Sequence, residues 1–296
     1  MVCGKLYGEV IIVMEPFQLQ KSKTSEGPVL LELKKWTDSY PELTAGFTTR
    51  NGGVSSEHFD SLNCALHVLD NEADVIHNRK LVAEACGMPF EAWTCGEQVH
   101  GSHVHVVTQN ERGKGRMNRT DAIQNTDSLV TDVTGVLLAS FYADCVPLMF
   151  LDPVQRVIGL AHAGWKGTVS NIGAATVHKM QEQYGCRLEH IQAAIGPSIG
   201  SCCYEVDERV IAEVRRVFEG CQQAERVQDV VIRPTSAGHA MLDLRELNRH
   251  LLIEAGILAA NIECTTLCTG CNIDMFYSHR MEGGTTGRMM SWIGWK

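Results

Sequence analysis

Three apolar runs of strand length follow one another in the segment VLLASFYADCVPLMFLDPVQRVIGLAHAGWKG, residues 136–167. They are Val136–Tyr142, Val146–Leu151 and Val157–Ala161. Residues of this type, separated by short polar or turn-forming stretches, predict neighbouring β-strands. A glycine-containing turn follows, after which the spacing of apolar residues predicts a helix over Val169–Tyr184. Successive strands followed by a helix indicate a protein that combines sheets with helices.

The rest of the chain carries the same two kinds of signal. Further strands are predicted at Val10–Met14, His103–Thr108 and Ile191–Ile195, and either a strand or the start of a helix at Val29–Leu33. Further helices are predicted at Asp74–Cys86, Glu208–Phe218 and Asp243–Ala255. Strand and helix signals alternate only in part, so a doubly wound parallel sheet is disfavoured. With neither an internal repeat nor a low-complexity linker, the sequence predicts one α+β domain over residues 1–296, with mixed sheets flanked by helices.

Composition and charge narrow the function. The 296 residues are 44% hydrophobic, which suffices for a sizeable core. The formal net charge of −9 disfavours a protein that grips long nucleic acid through its phosphates, but it allows a small anionic ligand. No run approaches the roughly 18 apolar residues of a transmembrane helix. We therefore expect neither nucleic acid nor membrane as a partner.

The cysteine content indicates a reducing compartment. The chain has 12 cysteines, but acidic residues interrupt the apolar run near its start and no signal-peptide cleavage site follows. We therefore expect a cytoplasmic protein whose cysteines serve as core residues, metal ligands or nucleophiles. The C-x-x-C at Cys268 and Cys271 lacks a second pair of suitable spacing, since Cys202 and Cys203 are adjacent. It is interpreted as two reduced thiols near a turn.

Three metal-competent side chains stand where predicted strands begin or end: His100, Cys145 and His162. Zinc accepts imidazole nitrogen and thiolate sulfur, and three protein ligands leave a fourth position for water or substrate. The three residues are far apart in sequence, so their spacing alone is weak support. Spacing alone favours two hydrogen-bonded histidines and a small buried thiol over a metal site.

Basic residues near glycine-rich turns are candidates for anion binding. Lys166 lies where a helix is predicted to begin, and free backbone N–H groups at such a position favour an anion. Arg50, Arg280 and Arg288 flank glycine-rich turns, and arginine suits bidentate contacts with phosphate. Each feature taken alone could also be a plain turn or a solvated arginine.

Taken together, these clusters form an ordered series that runs from about Ala45 to the C-terminus. The series reads TTRNGG at 48–53, SLN at 61–63, QVHG at 98–101, ADCVP at 143–147, AHAGWKG at 161–167, IGP at 195–197, CYEV at 203–206, FYSHR at 276–280 and TGR at 286–288. In this order it resembles the YfiH/YlmD family, also called the laccase-domain or polyphenol oxidase family. Residues 1–44 match that family less specifically.

The resemblance implies a fold, a cofactor and an activity. The fold is α+β, a layered sandwich of mixed β-sheets flanked by helices, similar to the deamidase domain of a bacterial cytotoxic factor. The metal ligands fall on His100, Cys145 and His162. The activities are phosphorolysis of adenosine, inosine, guanosine and methylthioadenosine, and deamination of adenosine. Zinc is the expected metal, with copper as the alternative, and nucleosides and phosphate are the expected partners of a monomeric enzyme.

Roles for individual residues follow from this chemistry. Asp144, beside the thiolate ligand Cys145, is expected to carry a proton or to orient that ligand. The candidates for substrate and phosphate binding are Arg50, Asn63, Lys166 and Arg280.

Two other enzyme classes remain open at this point. One is a copper-dependent polyphenol oxidase, although such enzymes use several H-x-H pairs and this chain has one, His103-Val104-His105. The other is a cysteine hydrolase with Cys145 as nucleophile and His162 or His100 as base.

Overall fold

The computed structural model describes residues 5–6, 9–10, 14–20, 27–219 and 224–296. The strands in these ranges are β1 (Lys5–Leu6), β2 (Glu9–Val10), β3 (Phe17–Leu19), β4 (Leu30–Leu33), β5 (Leu43–Thr48), β6 (Trp93–Cys95), β7 (Val104–Val106), β8 (Ser128–Thr131), β9 (Leu137–Tyr142), β10 (Val146–Asp152), β11 (Val157–Ala163), β12 (Gln192–Ile195), β13 (Glu205–Asp207), β14 (Ile232–Ser236), β15 (His239–Leu242), β16 (Ile262–Cys264) and β17 (Met289–Trp295). The helices are α1 (Lys34–Ser39), α2 (Glu72–Ala85), α3 (Trp165–Val169), α4 (Ile172–Tyr184), α5 (Glu208–Val217), α6 (Ala224–Val231) and α7 (Leu244–Glu254). Most of the predicted strand Val10–Met14 lies outside the described residues.

Two six-stranded sheets form the centre of the fold. The first sheet has the order β16-β12-β10-β11-β8-β7, and the second has the order β3-β4-β5-β17-β9-β6. Both are mixed, because β12–β16 and β7–β8 in the first and β6–β9 in the second are parallel, whereas the other pairs are antiparallel. A small three-stranded sheet, β13-β15-β14, accompanies them.

The two large sheets pack face to face, with helices on their outer sides. Met149 and Leu151 of β10 point into a core shared with the second sheet, which contributes Phe47 and Ile293. The alternate residues of β10 point into a separate core with α4 and α7. A third core lies between the outer face of the second sheet and α2. The protein is therefore a layered α+β sandwich, as predicted.

The helix predicted over Val169–Tyr184 differs from the observed one. Helical structure begins earlier, with the five residues of α3, and is interrupted before α4. The interruption occurs at Asn171, whose φ of 54° lies in the left-handed region that asparagine tolerates better than most residues. The side chain of Asn171 accepts a hydrogen bond from the Ala174 N–H and so caps α4.

Within the described residues, none of the helices is both long enough and apolar enough to cross a membrane.

Candidate metal centre

The structure brings His100, Cys145 and His162 together. Their ligand atoms all lie within 4.8 Å of one another. Cys145 Sγ is 4.0 Å from His100 Nε2, and the two imidazole rings meet edge to face with centroids 4.8 Å apart. One thiol and two imidazoles thus converge from three separate parts of the chain.

Each of the three side chains is positioned by the first or second sheet. His162 lies in β11, opposite Pro147 of β10, and is buried. Cys145 lies in the tight turn between β9 and β10, next to Asp144, whose φ is 86°. His100 lies in the loop after β6 and has a φ of 62°. Left-handed backbone at non-glycine residues is uncommon and is concentrated at functional sites.

The buried carboxylate of Asp127, which immediately precedes β8, organises two of these elements. Its Oδ1 lies 3.0 Å from His162 Nδ1 and also accepts from the His100 backbone N–H at 2.9 Å. Its Oδ2 accepts from the backbone N–H groups of Val99 at 3.1 Å and Gly101 at 2.8 Å. With Nδ1 held by the carboxylate, Nε2 of His162 remains available towards Cys145.

Asp127 is not among the site residues predicted from the sequence. Its only local signal is an acidic residue directly before a strand whose four residues are all buried. Such a residue is ordinarily a loop carboxylate, so its role depends on the tertiary fold.

The electrostatics of the cluster favour a thiolate. Burial raises the pKa of the Cys145 thiol, but the charge on His162 and hydrogen bonds from both histidines outweigh it and lower that pKa to about 6. Burial lowers the pKa of His162, but the Cys145 thiolate and Asp127 raise it to about 9. Burial raises the pKa of Asp127, and its hydrogen bonds bring the pKa below the ordinary value.

Asp144 uses both of its carboxylate oxygens to hold loops together. Oδ1 accepts from Thr269 Oγ1 at 2.7 Å, and Oδ2 accepts from the backbone N–H of Arg280 at 2.8 Å. The carboxylate therefore fixes the turn that carries Cys145 against two later segments of the chain. This geometry supports an orienting role for Asp144 more than a role in carrying a proton.

Two cavities open onto the cluster. The larger has a volume of about 410 Å³ and the smaller about 280 Å³. Both are lined by His100, Ala143, Cys145 and His279. The wall of the larger cavity is mainly apolar and aromatic, with Val99, Trp165, Ile199, Tyr204 and Leu244. It also includes the two cations Lys166 and Arg280. The smaller cavity is also lined by His67, Gln98, Phe141, His162 and Arg288.

Two of the four predicted substrate-binding residues line the larger of these two cavities, and the other two line neither of them. Lys166 and Arg280 line the larger one. Arg50 instead donates to Ile273 O at 2.8 Å and Glu282 Oε1 at 3.0 Å. Asn63 is buried, and its Oδ1 accepts from the backbone N–H of Arg288 at 2.9 Å. Asn63 thus holds the backbone of Arg288, which lines the smaller cavity.

Arg288 is a half-buried cation on the smaller cavity. Its Nη1 donates to the carbonyl oxygens of Thr286 and Gly287 at 2.6 and 2.9 Å. Within the part of the chain that the structure describes, no carboxylate oxygen approaches its guanidinium within 4.0 Å. Burial lowers the pKa of Arg288. A desolvated cation without an ion partner is suited to an anionic ligand.

The donor set of the cluster fits a metal ion. A thiol of low pKa and two imidazoles, one oriented by a carboxylate, are ligands that zinc accepts readily. Copper accepts the same donors, so this chemistry alone does not separate the two metals.

Comparison with known proteins places the chain among its relatives. The family model described as multi-copper polyphenol oxidoreductase laccase matches residues 44–296. The chain is 43% identical over 272 residues to purine nucleoside phosphorylase YlmD of Bacillus subtilis, which covers 91% of this chain and 95% of that protein. It is 31% identical over 266 residues to adenosine deaminase RL5 of an unknown prokaryotic organism, covering 89% and 99%.

A solved structure supports the same relationship. The crystal structure of YlmD from Geobacillus stearothermophilus superposes with a TM-score of 0.86 at 39% identity, covering 96% of this chain and 100% of that one. The fold, the conjunction of motifs and these matches lead to one conclusion: the chain belongs to the laccase-domain family of the YfiH and YlmD proteins.

Proposed function

We propose that the protein is a zinc-dependent purine nucleoside phosphorylase that accepts adenosine, inosine, guanosine and methylthioadenosine. The name of the Bacillus subtilis relative supports the class of reaction. The observation that carries the proposal is the position of His100 and Cys145 on a wall shared by two cavities. A reaction between a nucleoside and phosphate needs two adjoining sites of different chemistry.

The larger cavity suits the nucleoside. Its volume of about 410 Å³ lies in the range of small-molecule sites. Trp165 and Tyr204 provide aromatic surface for a purine, and Lys166 and Arg280 provide donors for polar groups of the base or sugar.

The smaller cavity suits phosphate. Arg288 offers a guanidinium without an ion partner among the described residues, and Asn63 fixes its backbone. His67 lies on the same wall, where burial, followed by the charge of Arg288, lowers its pKa to about 4. A neutral imidazole there can hydrogen-bond to phosphate while Arg288 supplies the charge.

In this mechanism the residues of the chain position the reactants. An oxygen of hydrogen phosphate forms a bond to C1′ of the sugar while the bond from C1′ to the purine nitrogen breaks, and the proton of the phosphate passes to the purine. The products are a purine base and ribose 1-phosphate, or 5-methylthioribose 1-phosphate when the substrate is methylthioadenosine. Zinc held by His100, Cys145 and His162 would supply a Lewis acid next to both cavities. Asp127 orients His162, and Asp144 holds the turn of Cys145. Alignment of two reactants supplies much of the rate enhancement.

Arg288→Gln is expected to raise KM for phosphate by about 10- to 100-fold, because a hydrogen bond to a charged group contributes about 1.5–3 kcal/mol. KM for the nucleoside should change much less. Steady-state kinetics with each substrate varied in turn measure both values. The matched control is Lys166→Gln, which removes one positive charge from the larger cavity and should affect mainly the nucleoside. If the phosphate KM rose in the Lys166 variant and not in the Arg288 variant, the two sites would be assigned the wrong way round.

The reaction itself is tested on protein purified without added metal. Zinc and copper content are measured, and the same sample is incubated with each nucleoside, with and without phosphate. Purine base and ribose 1-phosphate that form only with phosphate support the proposal. Absence of nucleoside turnover in zinc-loaded protein would overturn it.

Adenosine deamination is a second activity that we propose for the same site. It is favoured by the similarity to a relative named adenosine deaminase. Inosine formed from adenosine in the absence of phosphate would support it, and adenosine unchanged under those conditions would exclude it.

One observation favours a cysteine hydrolase as an alternative. Cys145 is hydrogen-bonded to His162, and His162 to Asp127, which is the arrangement of a nucleophile, a base and an orienting carboxylate. In metal-free protein, the fraction of Cys145 present as thiolate should increase as pH rises through its pKa of about 6, which is well below the ordinary pKa of a cysteine thiol. Alkylation of the Cys145 peptide by iodoacetamide, followed by mass spectrometry, should therefore level off by about pH 7.5.

A rate that still rises steeply above pH 8 would contradict this pKa. Zinc is expected to protect Cys145 in the same assay, because a ligand thiolate is shielded. Protection by zinc together with full phosphorolysis by the protected protein assigns Cys145 as ligand. Hydrolytic activity of metal-free protein that alkylation abolishes would assign it as nucleophile.

A further inference from the structure

A second cluster of thiols lies away from His100 and His162. Cys202, Cys203, Cys268 and Cys271 place their sulfur atoms within 4.8 Å of one another. Cys271 Sγ is 3.3 Å from Cys202 Sγ and 3.4 Å from Cys203 Sγ. The two thiols of the C-x-x-C therefore do not stand alone, because the fold supplies the second pair that the sequence spacing did not show.

The sheet topology explains this convergence. Strands β12 and β16 are parallel neighbours, so the loops that follow them leave the first sheet side by side. The loops are joined by a bridge between Ser198 and Cys268 and by a hydrogen bond of 3.0 Å from Thr269 N to Ser198 O. One loop carries Cys202 and Cys203 and the other carries Cys268 and Cys271.

A glycine allows the two loops to approach this closely. A Cβ atom added at Gly270 would lie 2.9 Å from Cys203 Cβ and 3.1 Å from its Sγ. A side chain at this position would therefore push the thiols apart. The close approach of the two loops is therefore set by the backbone, and not only by the rotamers of the cysteine side chains.

The chemistry of the cluster matches a single tetrahedral ion. Sulfur atoms bound to one zinc at about 2.3 Å lie about 3.8 Å apart, close to the observed spacing. An iron–sulfur cluster places several atoms between its cysteines and requires a wider arrangement. The backbone N–H of Gly200 donates to Cys268 Sγ at 3.1 Å, a contact that stabilises a thiolate. Arg245, which donates to Thr265 O and Leu267 O, adds a nearby positive charge.

We propose that Cys202, Cys203, Cys268 and Cys271 form a structural zinc site, distinct from the His100–Cys145–His162 cluster and independent of the reaction proposed above. Four protein ligands leave no open position, as in structural zinc sites. The ion clamps the loop after β12 to the loop after β16. The first loop supplies Ile199 and Tyr204 to the larger cavity. The ion thus holds one wall of that cavity in place.

The experiment counts metal in protein that lacks the other cluster. Cys145→Ala protein is reduced, stripped with a chelator, and titrated anaerobically with cobalt(II) and then with zinc. One equivalent of cobalt should bind and produce the intense visible and sulfur-to-metal charge-transfer bands of a tetrathiolate, and zinc should displace it. The added change Cys268→Ser with Cys271→Ser should abolish these bands. The matched control is Cys264→Ser, a half-buried thiol outside the cluster, which should leave them unchanged.

Wild-type protein is measured alongside, so that the result does not depend on a variant that fails to fold. Its zinc content should exceed that of Cys145→Ala protein by one equivalent. Thiol counting before and after reduction tests the alternative of a disulfide. Absence of tetrathiolate bands in fully reduced Cys145→Ala protein, or a disulfide within the cluster in protein purified under reducing conditions, would overturn the proposal. Either result would leave the phosphorylase proposal standing.

Discussion

Cys145→Ala is expected to release the metal from the His100–Cys145–His162 cluster and to lower kcat/KM for phosphorolysis by about 10³-fold or more. The variant removes the thiolate, the anionic ligand of the three. A metal ion that stabilises developing charge contributes several kcal/mol, which corresponds to a loss of this size. Elemental analysis should show one equivalent of zinc fewer than in the wild type, and steady-state kinetics on the same sample should show the loss of activity.

The control for this variant is Cys264→Ala, which removes a thiol that belongs to neither cluster. It should retain both zinc and activity. Folding of Cys145→Ala is verified by circular dichroism and thermal melting, so that loss of activity is not confused with unfolding. Full phosphorolysis by metal-free Cys145→Ala protein would refute a catalytic role for the metal.

Asp127→Asn is expected to weaken zinc binding at the same cluster by about 10- to 100-fold, the usual effect of losing a carboxylate that orients a ligating histidine. Asparagine has nearly the same size but only one acceptor oxygen. It cannot accept hydrogen bonds from His162 Nδ1 and from all three backbone N–H groups that donate to Asp127 in the wild type. The His162 ring is buried and the three backbone N–H groups are part-buried at their hydrogen bonds. Because a donor that loses its partner away from water costs about 1–3 kcal/mol, the free energy of unfolding should also fall by about 2–4 kcal/mol.

Competition with a chromophoric chelator measures the affinity for zinc, and urea denaturation measures stability. The matched control is Asp152→Asn, another buried carboxylate, which accepts from the backbone N–H groups of Val154 and Gln155 at the β10–β11 turn. Because Oδ1 alone accepts both hydrogen bonds and asparagine retains this oxygen, the variant should keep its zinc affinity. If zinc affinity were unchanged in the Asp127 variant, the orientation of His162 would not depend on this carboxylate.

The parts of the fold that follow local rules could be predicted from the sequence. The apolar runs at Val146–Leu151 and Val157–Ala161 correspond to β10 and β11 because both faces of these strands are buried. The helix predicted over Asp243–Ala255 corresponds to α7, and Asp243 caps its first turn as an acidic residue at that position should. The break at Asn171 was missed, because a single asparagine within an amphipathic pattern gives only a weak signal.

The candidate site likewise contains some residues that the sequence indicates and others that it does not. His100, Cys145 and His162 stood out because each lies near the end of a predicted strand and within a motif of the family. Asp127 and the cluster of Cys202, Cys203, Cys268 and Cys271 did not stand out, because their contacts depend on which strands are neighbours in the fold. The pairing of β12 with β16 joins residues that are 69 positions apart in sequence, and no local pattern encodes that pairing.

The position of β17 in the second sheet has a consequence for synthesis of the protein. This strand lies between β5 and β9 and is the element through which the two halves of that sheet are joined, although it follows both in sequence. While the ribosome is still adding residues 289–295, the facing edges of β5 and β9 are unpaired and apolar, a state prone to aggregation. Arg288 directly precedes this strand. A nascent chain therefore completes its second sheet and acquires the cation of the smaller cavity in a single late step.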